Sequence, residues 1–156
     1  MRPAGAAALL LALALPLGLT GCGGEGDGGG DGSGGAPELT VSGAYVPRPP
    51  TADVAGAFLV IENAGGADDT LTSVTSEAAG SVEIHETVDN AMRQVSSLTV
   101  PAGGSLALDR GGNHLMLMEL RDRPAEGDTV PIELHFETSA PITLDVPVEA
   151  ANHTGE

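Results

Sequence analysis

The chain is expected to fold as an all-β domain, a β-sandwich or Greek-key barrel. Three observations lead there. From Glu38 onward the sequence divides into about eight short runs rich in Val, Leu, Ile and Thr. Several of these alternate apolar and polar residues with the period of two that a half-buried strand requires. Turn-forming clusters separate them, and no segment after residue 37 shows a convincing helical period.

The expected strands are Glu38–Tyr45, Gly56–Glu62, Thr70–Thr75, Ser81–Thr87, Ser105–Leu108, His114–Leu120, Thr129–Glu137 and Ile142–Val148. The clearest alternation is in the seventh, where Ile132, Leu134 and Phe136 face inward and Glu133, His135 and Glu137 face outward. The breakers are Pro47-Arg48-Pro49-Pro50, Asn63-Ala64-Gly65-Gly66, Pro101-Ala102-Gly103-Gly104, Arg110-Gly111-Gly112 and Ala125-Glu126-Gly127-Asp128. With two Phe, one Tyr and no Trp, the core must be built from aliphatic side chains.

The residues ahead of the domain read differently. Residues 1–22 have the form of an export signal: Arg2, an apolar run from Ala4 to Leu19, then Thr20-Gly21-Cys22. Leu19-Thr20-Gly21-Cys22 looks like a bacterial lipobox, in which cleavage precedes the cysteine and Cys22 becomes the lipidation site. A transmembrane anchor is the alternative, but the apolar run is short for a span. Residues 23–36 are a Gly/Asp-rich flexible tether. Residues 37–151 suit one domain, and 152–156 form a short tail. The expected location is the extracytoplasmic face of the cell membrane, with the chain attached by its lipid.

Composition removes several functions. The formal net charge is −16, from 22 acidic residues against six Arg, with no Lys. Such a surface repels nucleic acid and anionic lipid; it also serves plain solubility. Once Cys22 carries lipid the domain has no cysteine, which excludes disulfides, thiol redox chemistry, zinc ribbons and a blue-copper centre. No nucleophile elbow and no Gly-rich phosphate loop is present, and carboxylates are plentiful only because the chain is acidic. An enzyme is not expected.

The most informative segment is Gly111-Gly112-Asn113-His114-Leu115-Met116-Leu117-Met118. In a strand, His114 and Met116 point the same way, about 6.5 Å apart, while Leu115 and Leu117 point oppositely. Thioethers are soft ligands that select Cu(I) over Mg(II), Ca(II) or Mn(II). The His114 face serves either as a Cu(I)-binding surface or as core with methionines filling gaps. Upstream lie His85, on the outer face of its strand, where a solvated imidazole is the commoner role, and Met92, expected exposed in a polar loop. His135 reads as surface. His153, in a frayed tail, is at most an accessory ligand.

The stretch from His85 to Met118 resembles the periplasmic copper A chaperone family, small secreted or lipid-anchored proteins that handle Cu(I) for cytochrome oxidase. The family pattern is a His, then a Met before Arg, then 21 residues, then His-x-Met. Here Met92-Arg93 precedes His114-Leu115-Met116, with 21 residues between Met92 and His114. Val100-Pro101-Ala102-Gly103-Gly104, Ala44-Tyr45-Val46-Pro47-Arg48 and Leu59-Val60-Ile61-Glu62-Asn63 are similar too, so the resemblance covers about 38–148. Three features depart from it. His85 and Met92 are joined by a shorter connection, Thr87 stands where many members have another Met, and Asn113 stands where an aromatic is common.

The resemblance implies a cupredoxin-like Greek-key β-sandwich that binds one Cu(I) through His85, Met92, His114 and Met116. It implies an extracytoplasmic metallochaperone delivering copper to a membrane partner, either the CuA centre of cytochrome c oxidase or a thiol copper chaperone serving it. Met118 would be a spare ligand or, as the commoner role, pack at the rim. Two rival readings are a copper-buffering or resistance protein with the same site, and a metal-free adhesion or scaffold sandwich.

Overall fold

The computed structural model describes residues 35–155. The expected signal 1–22, Cys22 and most of the 23–36 tether lie outside the described residues. Among those described, every regular element is a strand, so the all-β expectation holds. No helix there is long and apolar enough to cross a membrane.

Ten strands form: β1 Leu39–Pro47, β2 Val54–Asn63, β3 Asp69–Thr75, β4 Ala79–Val88, β5 Ala91–Val95, β6 Leu98–Val100, β7 Ser105–Leu108, β8 His114–Leu120, β9 Thr129–Phe136 and β10 Ile142–Glu149. β7 and β8 have the bounds expected from sequence. Two strands were not foreseen. β6 is only three residues long, too short for its Leu-Thr-Val alternation to mark a strand, and β5 exposes four of its five residues, so it carries no buried face. Met92 therefore sits on a strand and not in a loop.

Hydrogen bonding follows the path β5-β4-β8-β2-β1-β10-β9-β3-β6, with β7 also on β2. The chain passes between the two layers of the sandwich along β1. Its first part is antiparallel to β2; the register then shifts between Ser42 and Tyr45. Gly43, with φ 60°, supplies the left-handed residue within that shift. Beyond it, Val46 and Pro47 pair in parallel with Val148 and Glu149 of β10.

The core is aliphatic, as the composition demanded. Leu59, Ile61, Leu115 and Leu117 from the β2/β8 side and Leu71, Ile132, Leu134 and Val146 from the β3/β9/β10 side are fully buried in one cluster. Tyr45 and Phe58 are also buried but stand outside it, ring against ring at 5.2 Å.

Two buried polar side chains tie down the loops. Asn63 accepts from the Glu38 and Gly65 amides and donates to the Ala67 and Val100 carbonyls, using its full capacity. Asp69 accepts from the amides of Thr70, Thr138 and Ser139. Desolvation raises the Asp69 pKa, but hydrogen bonds from the Ser139 side chain and the three amides together hold it below its ordinary value of 3.8. A depressed carboxyl pKa stabilises the fold fully above the ordinary value and progressively less as pH falls through the folded one. Asp69→Asn, which turns an acceptor into a donor facing an N–H, is expected to cost about 2 kcal/mol at neutral pH. Urea melts should show that difference shrinking below pH 3.8.

Candidate metal centre

Strand register assembles the site. β4 and β8 are antiparallel, with His85 opposite His114 and Glu83 opposite Met116. On its other edge β8 pairs with β2, where Gly56 lies opposite Met116. Residues paired across a sheet share a face, and so do residues two apart on one strand. His85, His114 and Met116 therefore occupy one face. Leu115 and Leu117 leave from the opposite face and are fully buried.

Met92 joins them through a tight hairpin. Val88 pairs with Ala91, and the two residues between, Asp89 and Asn90, have φ of 52° and 62°. Both central residues are left-handed, as in a type I′ turn, and Asp and Asn tolerate that conformation. Thr87 is thereby opposite Met92 and His85 opposite Gln94. The short connection keeps Met92 on the face of His85. Its side chain is 66% exposed, so it does no packing there.

His114 is placed by an unusual stretch of chain. β7 and β8 pair with the same edge of β2. Between them Asp109–Asn113 leaves the sheet and returns, closed by the Asp109 amide on the Asn113 carbonyl. Gly111 has φ 85°, and a Cβ on Gly112 would collide with the Asp109 carboxylate. The two glycines thus allow an excursion and not the chain reversal that a turn signal suggests. Its product is the Gly112 carbonyl, which accepts from His114 Nδ1 at 2.9 Å and from Thr87 Oγ1 at 3.1 Å. A carbonyl only accepts, so Nδ1 carries the proton and Nε2 keeps its lone pair. Metal-binding histidines are commonly oriented by such a bond.

His85 stands beside His114 with ring centroids 5.6 Å apart. Its Nε2 donates to the Glu83 carboxylate at 2.8 Å, which leaves Nδ1 as its free acceptor. Met92, His114 and Met116 line a cleft of about 430 Å³, together with Phe58, Thr87 and Arg110. His85 does not line it and sits at its margin, against His114. Among the described residues no three His, Cys, Asp or Glu side chains gather as a metal site. A metal held at this face would need the methionines.

The remaining candidates lie elsewhere. Met118, opposite Ser81 and Val54, is two pairs further along and outside the cleft. His135 is on β9, within reach of Glu133 and Thr75. His153 is not frayed: its amide bonds the Ala150 carbonyl, and its ring meets Tyr45 edge-on at 4.7 Å. Sequence reasoning missed Phe58, Arg110 and Thr87 as parts of the site. Phe58 is two residues beyond Gly56 and so shares its face. Arg110 belongs to the excursion, where the glycine pair marks a break in the strand but not its return to the same edge of β2.

Residues 39–148 match the family described as "Putative lipoprotein LpqE-like". The chain belongs to the LpqE-like family. This LpqE-like chain is also 32% identical, over 114 residues, to "Putative lipoprotein Lxx21020" of Leifsonia xyli subsp. xyli (strain CTCB07). That alignment spans 70% of this chain and 68% of the relative. Among solved structures, the apo PmoF2 PCuAC domain superposes with a TM-score of 0.66 at 20% identity, covering 76% of this chain and 94% of that one. The solution structure of CuI-DR1885 from Deinococcus radiodurans gives 0.60 at 27% identity, covering 81% and 87%. The fold is thus the cupredoxin-like β-sandwich of PCuAC domains, in agreement with the resemblance to periplasmic copper A chaperones.

The hydrogen bonds assign opposite tautomers to the two histidines. Long-range 1H–15N NMR under alkaline conditions is expected to show His114 as the Nδ1–H form and His85 as the Nε2–H form. A His114 protonated on Nε2 instead would refute the orienting role of the Gly112 carbonyl.

Proposed function

We propose that this LpqE-like protein is an extracytoplasmic Cu(I) metallochaperone whose cargo is held by His85, Met92, His114 and Met116. The carrying observation is that Met92, His114 and Met116 line one cleft, with His85 beside His114 on the same sheet face. The chemistry fits. Two neutral imidazoles and two soft, neutral thioethers bring no charge, a combination that favours the monovalent ion over Cu(II). The exposed thioether of Met92 is open to ligand exchange, which a carrier needs in order to release its ion. The likeness to a solved CuI-DR1885 at 27% identity supports the same cargo.

The rest of the reading concerns placement. Residues 1–22 act as the export signal and Cys22 takes the lipid, in line with the lipoprotein names of the family and relative. Residues 23–36 tether the domain 37–151 to the outer face of the membrane. The client is a membrane-associated copper acceptor, the CuA centre of cytochrome c oxidase or a thiol chaperone that serves it. Deleting the gene should impair oxidase assembly, with excess copper restoring it. Copper sensitivity with normal oxidase would instead mark a buffering protein.

Titration of the full chain in detergent with Cu(I), under reductant and against a chromophoric chelator, tests the site. One equivalent should bind tightly, and Met92→Ala with Met116→Ala should abolish that binding. Thr87→Val, which removes one of two donors to the Gly112 carbonyl, should weaken it by about tenfold. Affinity should fall on acidification because protons compete for imidazole and not for thioether. No binding, or binding indifferent to the two methionines, would overturn the chaperone reading and leave a sandwich of unknown partner.

A further inference from the structure

A second cleft, of about 630 Å³, adjoins the metal-site cleft. Gly56, Phe58, Arg110 and Met116 line both. Its apolar lining includes Pro49, Val54 and Phe58, and around these stand Arg48, Arg110 and Arg123. These are three of only six cationic residues in a chain of net charge −16. None of the three is ion-paired among the described residues, although Arg93 is held by Glu86. Their hydrogen bonds go to backbone carbonyls. Arg123 Nε donates to Pro49 and Arg110 Nη2 to Ala151, while the Arg110 guanidinium lies 5.4 Å from the centre of the Phe58 ring.

A surface this acidic has carboxylates available to neutralise three guanidinium groups, yet here Arg110 and Arg123 bond only carbonyls and the charge of all three is left uncompensated. Arginine beside an aromatic and apolar floor is the composition of a protein-binding hot spot. We propose that this cleft docks the copper-accepting protein through a carboxylate-bearing apolar segment of that partner. The inference rests on the chaperone reading and deepens it. Because Met116 belongs to both clefts, a partner seated on the arginines has its own ligands beside a ligand of the metal. At physiological ionic strength charges more than about 8 Å away are largely screened, so the local arginines outweigh the global repulsion of an acidic partner. An anionic bilayer is the less fitting occupant, because its extended charge meets the whole acidic surface and not one cleft.

The test uses the full chain in detergent micelles and two labelled, thiol-free peptides, one with Asp/Leu arms and one with Lys/Leu arms. Fluorescence anisotropy without metal should show preference for the acidic peptide, reduced at least tenfold by Arg48→Glu with Arg123→Glu and retained by the Arg→Lys pair. Arg48→Glu alone leaves the Arg123–Pro49 bond intact and carries the test if the double variant unfolds. Matching acceptor peptides with one shared two-thiol Cu(I) site should then receive copper faster when their arms are acidic. No preference, or one unmoved by Arg48→Glu, overturns the proposal. Binding to phosphatidylglycerol vesicles that the same variants abolish overturns it in favour of a membrane face. A preference seen only after Glu25→Gln, Asp27→Asn and Asp31→Asn overturns it in favour of the chain's own tether. Loss of Cu(I) binding in the separate chelator titration bears on the chaperone reading alone, since the anisotropy arm contains no copper.

Discussion

The pairing of His85 with His114 across β4 and β8 is the constraint on which the molecule turns. A one-residue slip of that register would send every side chain of one strand to the opposite face. Leu115 and Leu117 prevent it, because slipping would drive both from a closed core into water. The stability of the sandwich and the composition of the candidate centre are therefore one decision. The aliphatic face holds the register, and the register lines up imidazoles and thioethers on the other side. This separation also explains why so few aromatics suffice. Tyr45 and Phe58 are not needed in the core and pack together outside it, Phe58 walling the cleft.

Orientation is handled by a different device from placement. Register brings the rings to the same face, and single hydrogen bonds choose which nitrogen each ring presents. For His114 the partner is a carbonyl produced by a backbone excursion. For His85 it is a carboxylate two residues back on its own strand. Thr87 adds its hydroxyl as a brace to that same carbonyl. Position 87 thus contributes a structural bond and no soft atom, so the arrangement relies on its four candidate ligands.

Much of this was legible from sequence because it depends on period two. The core-facing leucines of β8, the shared face of His114 and Met116, and the outward His135 all follow from alternation. So did the aliphatic composition of the interior. What escaped depends on partners that pattern does not encode. β5 is an exposed edge strand, so its sequence lacks the apolar contrast that reveals a strand. The shortened hairpin could be interpreted only once Asp89 and Asn90 were seen in the left-handed conformation. Arg110 and Phe58 are distant in sequence and meet only because β7 and β8 share an edge of β2. His153 looked like free tail because nothing in Asn152-His153-Thr154 announces that Tyr45 waits for it.

The excursion Asp109–Asn113 begins and ends on the same edge of the same strand, so its length and composition are decoupled from the sandwich. Substitutions within it can move the carbonyl under His114, or exchange Arg110, without disturbing a single core leucine. Five residues thus form a cassette whose changes alter what the cleft presents while the scaffold beneath stays the same. Descendants of this fold are free to diverge in what they recognise long before they diverge in how they fold.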